Sequence, residues 1–327
     1  MPPVPARIVL HLKGDDVARD LKGWHLRLYP RLRGMAQRAG IGFDVRARDA
    51  DITVGTHSAP DGRFDDGNLH ILDDRSVITE NVLNAGVAYF WDFWHLDPQG
   101  TKAFSSIGAK TYSPGEVPFR RAKPFYETLR QRHVDARQSK YTQPEALRRF
   151  GPGALSVFFQ GTYPVQSGAA HISDLEMLRA VLAGAGDRPV IVKPHPLVSA
   201  PGDAAAVTAL ARHDPRLCVT DANVHDILAA STATISINST VALEGFLHRV
   251  PAILFGRSDF HHFAGQVDHP DQFATVLAQQ LARKGGYAQY LTWYFRRNCL
   301  PLHAKDLEDR IWRIFEEAGF TQSRFGL

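Results

Sequence analysis

Ala233-Thr-Ile-Ser-Ile-Asn-Ser-Thr-Val-Ala-Leu-Glu-Gly-Phe-Leu-His-Arg-Val-Pro-Ala-Ile-Leu-Phe255 reads as strand, helix and strand in one unbroken stretch. Ala233 to Ile237 is the first strand, Ser239 to Leu247 the helix and Pro251 to Phe255 the second strand. The same rhythm runs upstream, with strands at Leu155 to Phe159, Pro189 to Lys193 and Leu217 to Thr220. Between them lie a helix with the apolar face Ile172, Leu175, Leu178, Val181 and Leu182, a helix at Ala204 to Arg212, and a short one at Val224 to Ala230. Repeated alternation of this kind predicts an α/β fold with a doubly wound parallel sheet.

The earlier half carries a second, fainter version. Strands are expected at Arg7 to Leu12, Gly42 to Val45, Asp51 to Val54 and Leu69 to Leu72, with a helix from Asp16 to Ala39. From Val87 the chain turns aromatic and loop-like through Asp97-Pro-Gln-Gly100, and between Arg137 and Pro152 polar residues, Pro and Gly replace the apolar rhythm. Leu307, Ile311, Ile314, Phe315 and Ala318 mark an amphipathic terminal helix. A chain of 327 residues exceeds the roughly 250–300 at which single cores stop growing, so two domains are expected. Their expected spans are 1–140 and 150–300, followed by a C-terminal helix in 301–327.

Composition sets outer bounds. With 44% apolar and 22% charged residues, the chain has the make-up of a globular protein with a sizeable core. No run approaches the roughly 18 apolar residues of a membrane span, and Met1-Pro-Pro-Val-Pro-Ala-Arg7 has no secretory apolar stretch, so a cytoplasmic location is expected. Cys218 and Cys299 lie too far apart in sequence to suggest a disulfide framework, and both are expected to be buried thiols. The net charge is +4, yet Val117 to Phe150 alone holds nine Lys or Arg against three acids, a local +6. That stretch is either a solvated face or a contact for an anionic acceptor or the inner membrane surface, through 120–149. No nucleic-acid motif accompanies it, so nucleic acid is not an expected partner.

In an open α/β sheet, ligands bind beyond the carboxyl ends of the strands, so the residues just past each strand hold the candidates. Ile191-Val-Lys-Pro-His-Pro-Leu197 ends a strand in His195, fixed between Pro194 and Pro196 in a stiff turn. An imidazole there, with Lys193 beside it, suits a phosphate or nucleotide oxygen. Ser236, Asn238, Ser239 and Thr240 lead into the next helix, whose start at Asn238 or Ser239 would aim N–H groups at an anion, or merely cap the helix. Glu244, one turn on, suits sugar or ribose hydroxyls or the helix terminus. Gln160 follows another strand end. In the first half, Glu80, Asp92, His95 and Asp97 cluster about Tyr89, Phe90, Trp91, Phe93 and Trp94, as a sugar-binding wall or as core. No His-Glu-x-x-His, Cys-x-x-Cys, glycine-rich phosphate loop or Gly-x-Ser-x-Gly elbow is present, so neither metal nor cofactor is expected.

Lys193-Pro-His-Pro196, then Ser236-Ile-Asn-Ser-Thr-Val-Ala-Leu-Glu-Gly245 and Val250-Pro-Ala-Ile-Leu-Phe-Gly256, resemble the capsule-polysaccharide synthesis family, which includes bacterial Kdo transferases. The His-Pro pair also resembles the one bacterial sialyltransferases use on CMP. The resemblance covers about Ser156 to Gly256, and it implies two Rossmann-like domains in a GT-B arrangement. It further implies a glycosyltransferase acting on a CMP-sugar, such as CMP-Kdo, and a glycan or glycolipid acceptor. His195 and Ser236 to Thr240 would then hold the nucleotide together with Gln160, Lys193, Pro196 and Glu244. Catalysis would fall to His195 and to one of Glu80, Asp92 and Asp97. An acid is expected soon after Gln160, but the chain reads Gly161-Thr-Tyr-Pro164 and its next acid is Asp174. A sugar-nucleotide epimerase or hydrolase, or a non-catalytic subunit of an assembly complex, shares the same sequence features.

Overall fold

The computed structural model describes residues 4–59, 62–195, 199 and 201–327. Strands β1 (Ile8–Leu12), β2 (Phe43–Ala47), β3 (Leu69–Asp73), β4 (Val82–Val87) and β5 (Phe93–Asp97) come first. They are followed by β6 (Ala154–Phe158), β7 (Val190–Lys193), β8 (Leu217–Val219), β9 (Ser231–Ser236), β10 (Ala252–Leu254) and β11 (Gly265–Gln266), and last by β12 (Leu300–Pro301). These make two six-stranded sheets, ordered β12-β5-β4-β3-β1-β2 and β11-β10-β9-β6-β7-β8. The expected α/β class with two Rossmann-like sheets is what the chain forms.

The second sheet is parallel throughout its pairings. Its strands are buried on both faces, which is why they read as continuous apolar runs and were legible from sequence. The first sheet is mixed, because β5 runs antiparallel to β4 and β12 antiparallel to β5. The stretch expected to be aromatic loop instead contains the strand Phe93–Asp97, with irregular chain on either side of it at 88–92 and 98–100. Asp51 to Val54, expected as a strand, is turn and coil. The long helix expected from Asp16 to Ala39 is broken into Gly14–Val17, a 3-10 turn at Trp24–Leu26 and a helix at Tyr29–Ala39. Positive φ at Asp20, Leu21 and Gly23 interrupts it, a conformation no α-helix accommodates.

Contacts divide the chain into Thr111–Tyr294 and a unit made from Met1–Lys110 with Phe295–Leu327. The dividing points therefore lie away from the composition change between Arg137 and Pro152, and the terminal segment is not a separate piece. Leu307, Ile311 and Phe315 of the helix Leu307–Glu317 are buried in the first unit's core, which also holds Leu10 of β1, Ile71 of β3 and Leu83 of β4. Their i, i+4, i+8 spacing puts all three on one stripe, and the helix covers one face of the sheet while Leu32 and Met35 of Tyr29–Ala39 share that core. Phe315→Ala should accordingly lower stability by about 3–5 kcal/mol, with Trp312→Ala, partly buried, costing less, as read by urea denaturation. Equal and small effects of both would show that the terminal helix is peripheral to that core.

Candidate functional site

The second sheet changes winding direction at β6. From β6 the chain steps outward to β7 and β8, then crosses back to β9, β10 and β11 on the other side. The helices of the two halves diverge above this point, leaving a crevice at the carboxyl ends of β6 and β9. Phe158 of β6 is in register with Lys193 of β7 on one side and Ser236 of β9 on the other. Two residues further along each strand direction come Gln160, His195 and Asn238. At about 4.8 Å between neighbouring strands, these three positions span roughly 10 Å across the crevice.

Gln160 and Asn238 close the switch point by a reciprocal pair. The Gln160 Nε2 donates to Asn238 Oδ1 at 2.9 Å, and the Asn238 backbone N–H donates to Gln160 Oε1 at 2.8 Å. Asn238 Nδ2 then reaches the Arg257 carbonyl at 2.9 Å, tying the end of β10 to the same turn. Ser239 N–H donates to Ser236 Oγ, and Val241 N–H to Ser239 Oγ. The helix consequently starts at Val241 and not at Asn238 or Ser239. Three amides that would have faced an anion are spent inside the turn, so recognition of a phosphate here passes to side chains.

The acid expected after Gln160 is supplied from further along the chain. Asp174, the first residue of the helix Asp174–Gly184, accepts from the backbone N–H groups of Gln160 and Gly161 through Oδ2 at 2.8 and 2.7 Å. Burial pushes its carboxyl up to about 6, even though the two amides favour the charge. Asp174 therefore shapes the loop after β6, and Gly161 takes φ +66°, the left-handed conformation suited to glycine.

On the β7 side, a strap of irregular chain, 138–149, lies against the sheet edge. Asp226 holds it: Arg137 reaches both carboxylate oxygens, at 3.0 and 2.7 Å, and the Arg148 backbone N–H adds a third bond at 2.9 Å. The strap and the strand ends line a cavity of about 780 Å³ that includes Gln143, Arg148, Lys193, His195 and Thr220. Tyr141 stands edge-on to the His195 ring at 5.0 Å. His195 is half-buried, and burial, with Lys140 and Lys193 nearby, holds its imidazole below the usual histidine range. Its backbone N–H donates to Ser199 Oγ at 2.8 Å. Lys193 donates to the carbonyls of Asp221 and Ala222 and to Gln143, all neutral acceptors, and among the described residues no carboxylate lies within ion-pair distance of it. The basic stretch thus has two fates: Arg120, Arg121 and Lys123 are exposed on the helix Phe119–Arg130, while Arg137 and Arg148 build the strap. Pro196 lies outside the described residues.

Glu244 is fully buried, and neither carboxylate oxygen has a hydrogen-bond partner among the described residues. Burial pushes its carboxyl up to about 7, although Ser139 and Lys193 are near enough to favour the charge. A second cavity of about 840 Å³, containing Arg179, Gly256, Gln266 and His269, opens at the ends of β10 and β11, away from His195.

In the first unit, the reversal of β5 separates the expected carboxylates. Asn84 of β4 is in register with Asp97, which puts Asp97 toward the amino end of the parallel strands, and exposed Glu80 precedes β4 at that same edge. Asp97 is buried and its oxygens accept from Gln99 N–H, Gly100 N–H, Ser106 N–H and Ser106 Oγ, which fixes the loop after β5. Asp92 sits at the carboxyl edge but is paired to Arg27 at 2.9 Å and His303 at 3.3 Å. The rings of Tyr89, Phe90, Phe93 and Trp94 are core. The carboxyl at this sheet's own switch point, between β1 and β3, is Asp73, which sequence reading passed over although it ends the strand begun at Leu69. Tyr29 Oη donates to it at 2.5 Å. Burial, then the neighbouring Asp74, pushes it up to about 7.

The raised Glu244 carboxyl sets a pH dependence. Below the unfolded value near 4.5, folded and unfolded chains are both protonated there, and stability is complete. As pH rises towards about 7 the unfolded chain ionises while the folded chain keeps its proton, so stability falls by on the order of 3 kcal/mol by pH 8. Glu244→Gln should remove this decline and melt higher than the wild type at pH 8; parallel melting curves from pH 5 to 8 would disprove it.

Comparison with known proteins gives three results. Residues 156–294 match the family of capsule polysaccharide biosynthesis proteins. Among curated protein sequences, none matches the chain. Among solved structures, the chain is similar to Thermosulfurimonas dismutans KpsC, beta Kdo 2,4 transferase, at 12% identity and a TM-score of 0.51, over 88% of this chain and 90% of that one. The same organism's KpsC, beta Kdo 2,7 transferase, aligns at 13% identity over 84% and 90%, with a TM-score of 0.48. A UDP-GlcNAc 2-epimerase from Methanocaldococcus jannaschii aligns at 10% identity over 96% and 100%, with a TM-score of 0.38. At 12% identity the first of these speaks for the fold alone, over 88% of this chain. The family match falls on the segment that carries Gln160, Lys193, His195 and the Ser236 to Glu244 turn, so it is the strand-end motifs of the second unit that resemble capsule polysaccharide biosynthesis proteins.

Proposed function

We propose that the chain is a glycosyltransferase of capsule polysaccharide synthesis that takes its sugar, Kdo or a related acidic sugar, from a CMP-sugar. The acceptor is a glycan or glycolipid. The observation that carries this reading is the joining of a switch-point crevice to a cavity lined by Lys193, His195 and Arg148. A volume of about 780 Å³ suits a nucleotide, and Lys193, with neutral hydrogen-bond partners only, supplies the positive charge a single phosphate requires. His195, held neutral by burial, donates one hydrogen bond to the phosphate and gains a proton more readily as negative charge accumulates on the departing CMP. That stabilisation is greatest in the transition state, where the bond to the sugar carbon is breaking. Ser239 and Thr240 add hydroxyls from the other side of the switch. The similar KpsC structure is that of a beta Kdo 2,4 transferase, which agrees with this donor class.

For the acceptor proton, the surroundings of Asp73 suit the role better than those of Glu80, Asp92 or Asp97. Its carboxyl stands at the ligand edge of its own sheet and titrates near neutrality, where a general base is most effective. Asp97 has its lone pairs committed, and Asp92 is held by the Arg27 guanidinium and the His303 imidazole.

CMP should raise the melting temperature more than UMP, UDP or GDP, since ligand at about 100 times its dissociation constant adds roughly 2.7 kcal/mol. His195→Ala should bind CMP about tenfold to hundredfold more weakly with its fold intact, while Cys218→Ala binds as the wild type does. A clear preference for a uridine or guanosine diphosphate, or unchanged CMP binding by His195→Ala, would sink the donor assignment. Binding of CMP without any transfer would point to the non-catalytic subunit instead.

Asp73→Asn should leave CMP affinity unchanged and lower the rate of transfer by about a hundredfold or more. Full activity in that variant, measured with saturating donor and acceptor, would exclude Asp73 as the base.

A further inference from the structure

Among the described residues, two tryptophans are strongly exposed, and they touch each other. Trp24 is 44% exposed and Trp91 36% exposed, with ring centroids 5.8 Å apart and planes inclined by 40°. Isolated exposed apolar side chains need no explanation, but two adjoining indoles in solvent do. Each follows a residue or a turn of unusual backbone geometry. Gly23, before Trp24, has φ +149°, and a Cβ there would meet the His25 ring at 3.1 Å. Trp91 lies in the short β4–β5 connection, where Tyr89 takes φ +64°. A left-handed tyrosine costs on the order of 1–3 kcal/mol, a cost found chiefly where a loop geometry serves a site. Tyr89 and Phe90 turn into the core and Trp91 outward.

Polar groups flank the pair at both ends. Beside Trp24, His25 stands edge-on at 5.3 Å and bonds Asp16 at 3.0 Å. Beside Trp91, Asp92 is bonded by Arg27 at 2.9 Å and by His303 at 3.3 Å. Arg27 carries five N–H donors, more than Asp92 and His303 take up. A flat aromatic face bordered by hydroxyl-seeking carboxylates, imidazoles and a guanidinium matches one ligand class. The C–H bonds on one face of a pyranose carry partial positive charge and lie on the negative face of an indole, while the ring hydroxyls turn outward to polar side chains.

From this geometry we infer that Trp24 and Trp91 form a carbohydrate-binding platform in the first unit, with Arg27, Asp92, His25 and His303 taking the hydroxyls or carboxylate of the bound sugar. This site rests on the glycosyltransferase reading for its purpose, as the place where acceptor sugars are held, but its binding is measurable without any donor. Two inclined rings suit two successive residues of a chain better than a single monosaccharide. The position is the carboxyl-end side of β4, whose last residue, Val87, is in register with Trp94 near the start of β5.

The test uses the whole chain and two probes, maltohexaose as a neutral oligosaccharide and an α-linked Kdo disaccharide as an acidic one, titrated by intrinsic tryptophan fluorescence and by calorimetry. At least one should change the emission and saturate. Trp24→Ala and Trp91→Ala should each weaken that binding at least fivefold, and the double variant should abolish it, with CMP affinity unchanged. Trp24→Phe and Trp91→Phe, which keep an aromatic face and guard against misfolding, should bind with intermediate strength. If neither probe binds the wild type, or the double variant binds as the wild type does, the platform is overturned and the indoles merely shield one another. Loss of CMP binding with sugar binding intact would instead overturn the donor assignment and leave the platform standing.

Discussion

The paired amides of Gln160 and Asn238 hold the second unit's crevice in shape. A doubly wound sheet opens where its winding reverses, and an open crevice leaves backbone polar groups from two loops that must find partners. Here the two loops satisfy each other, through two bonds between Gln160 and Asn238 and a third from Asn238 to Arg257. Asp174 secures the other side of the β6 loop through two more amides. The crevice is therefore rigid before any ligand arrives, and a preorganised site loses less free energy to ordering when it binds.

Rigidity of this kind has a chemical consequence. Because the amides at the start of the Val241–Leu247 helix are engaged within the turn, the positive character of the site comes from side chains on the β7 side. Lys193 is half-buried and bonded to neutral carbonyls, so its charge is not cancelled by a neighbouring carboxylate in ion-pair contact. Glu244, buried close by, responds to the same dry surroundings by keeping its proton near neutrality. A cation left uncompensated and a carboxyl left neutral both favour an incoming anion, since neither repels nor pre-empts it. The Arg137–Asp226 pair acts one step back: it fixes the strap that carries Tyr141 and Arg148 to the cavity.

The first unit is organised by a different constraint, the reversal of direction at β5. An antiparallel strand sends its carboxyl end to the opposite edge from its parallel neighbours, so residues close in sequence are carried apart in space. Asp92 and Asp97 bracket β5 and consequently lie at opposite edges of the sheet. Asp73, which ends a parallel strand, stays at the ligand edge with Tyr29 bonded to it. The aromatic run from Tyr89 to Trp94 alternates with this geometry, and most of its rings are core while Trp91 is displayed.

The sequence by itself determined the α/β class, nearly every strand of the second unit, and the strand-end motifs around Gln160, His195 and Ser236 to Thr240. It could do so because strands buried on both faces must be continuously apolar, and because the residues following such strands are placed by the fold whatever their identity. Only the tertiary structure decided the matters that depend on direction and on distant partners. Whether β5 runs parallel or antiparallel leaves no mark on its composition, yet it determines which edge Asp97 occupies. Asp174 meets the Gln160 loop, the helix that carries Phe315 meets β5, and Trp24 meets Trp91 across separations that no local pattern spans. Burial of Glu244 and Asp73 is likewise a property of what packs around them, and it is burial that gives both carboxyls their near-neutral titration.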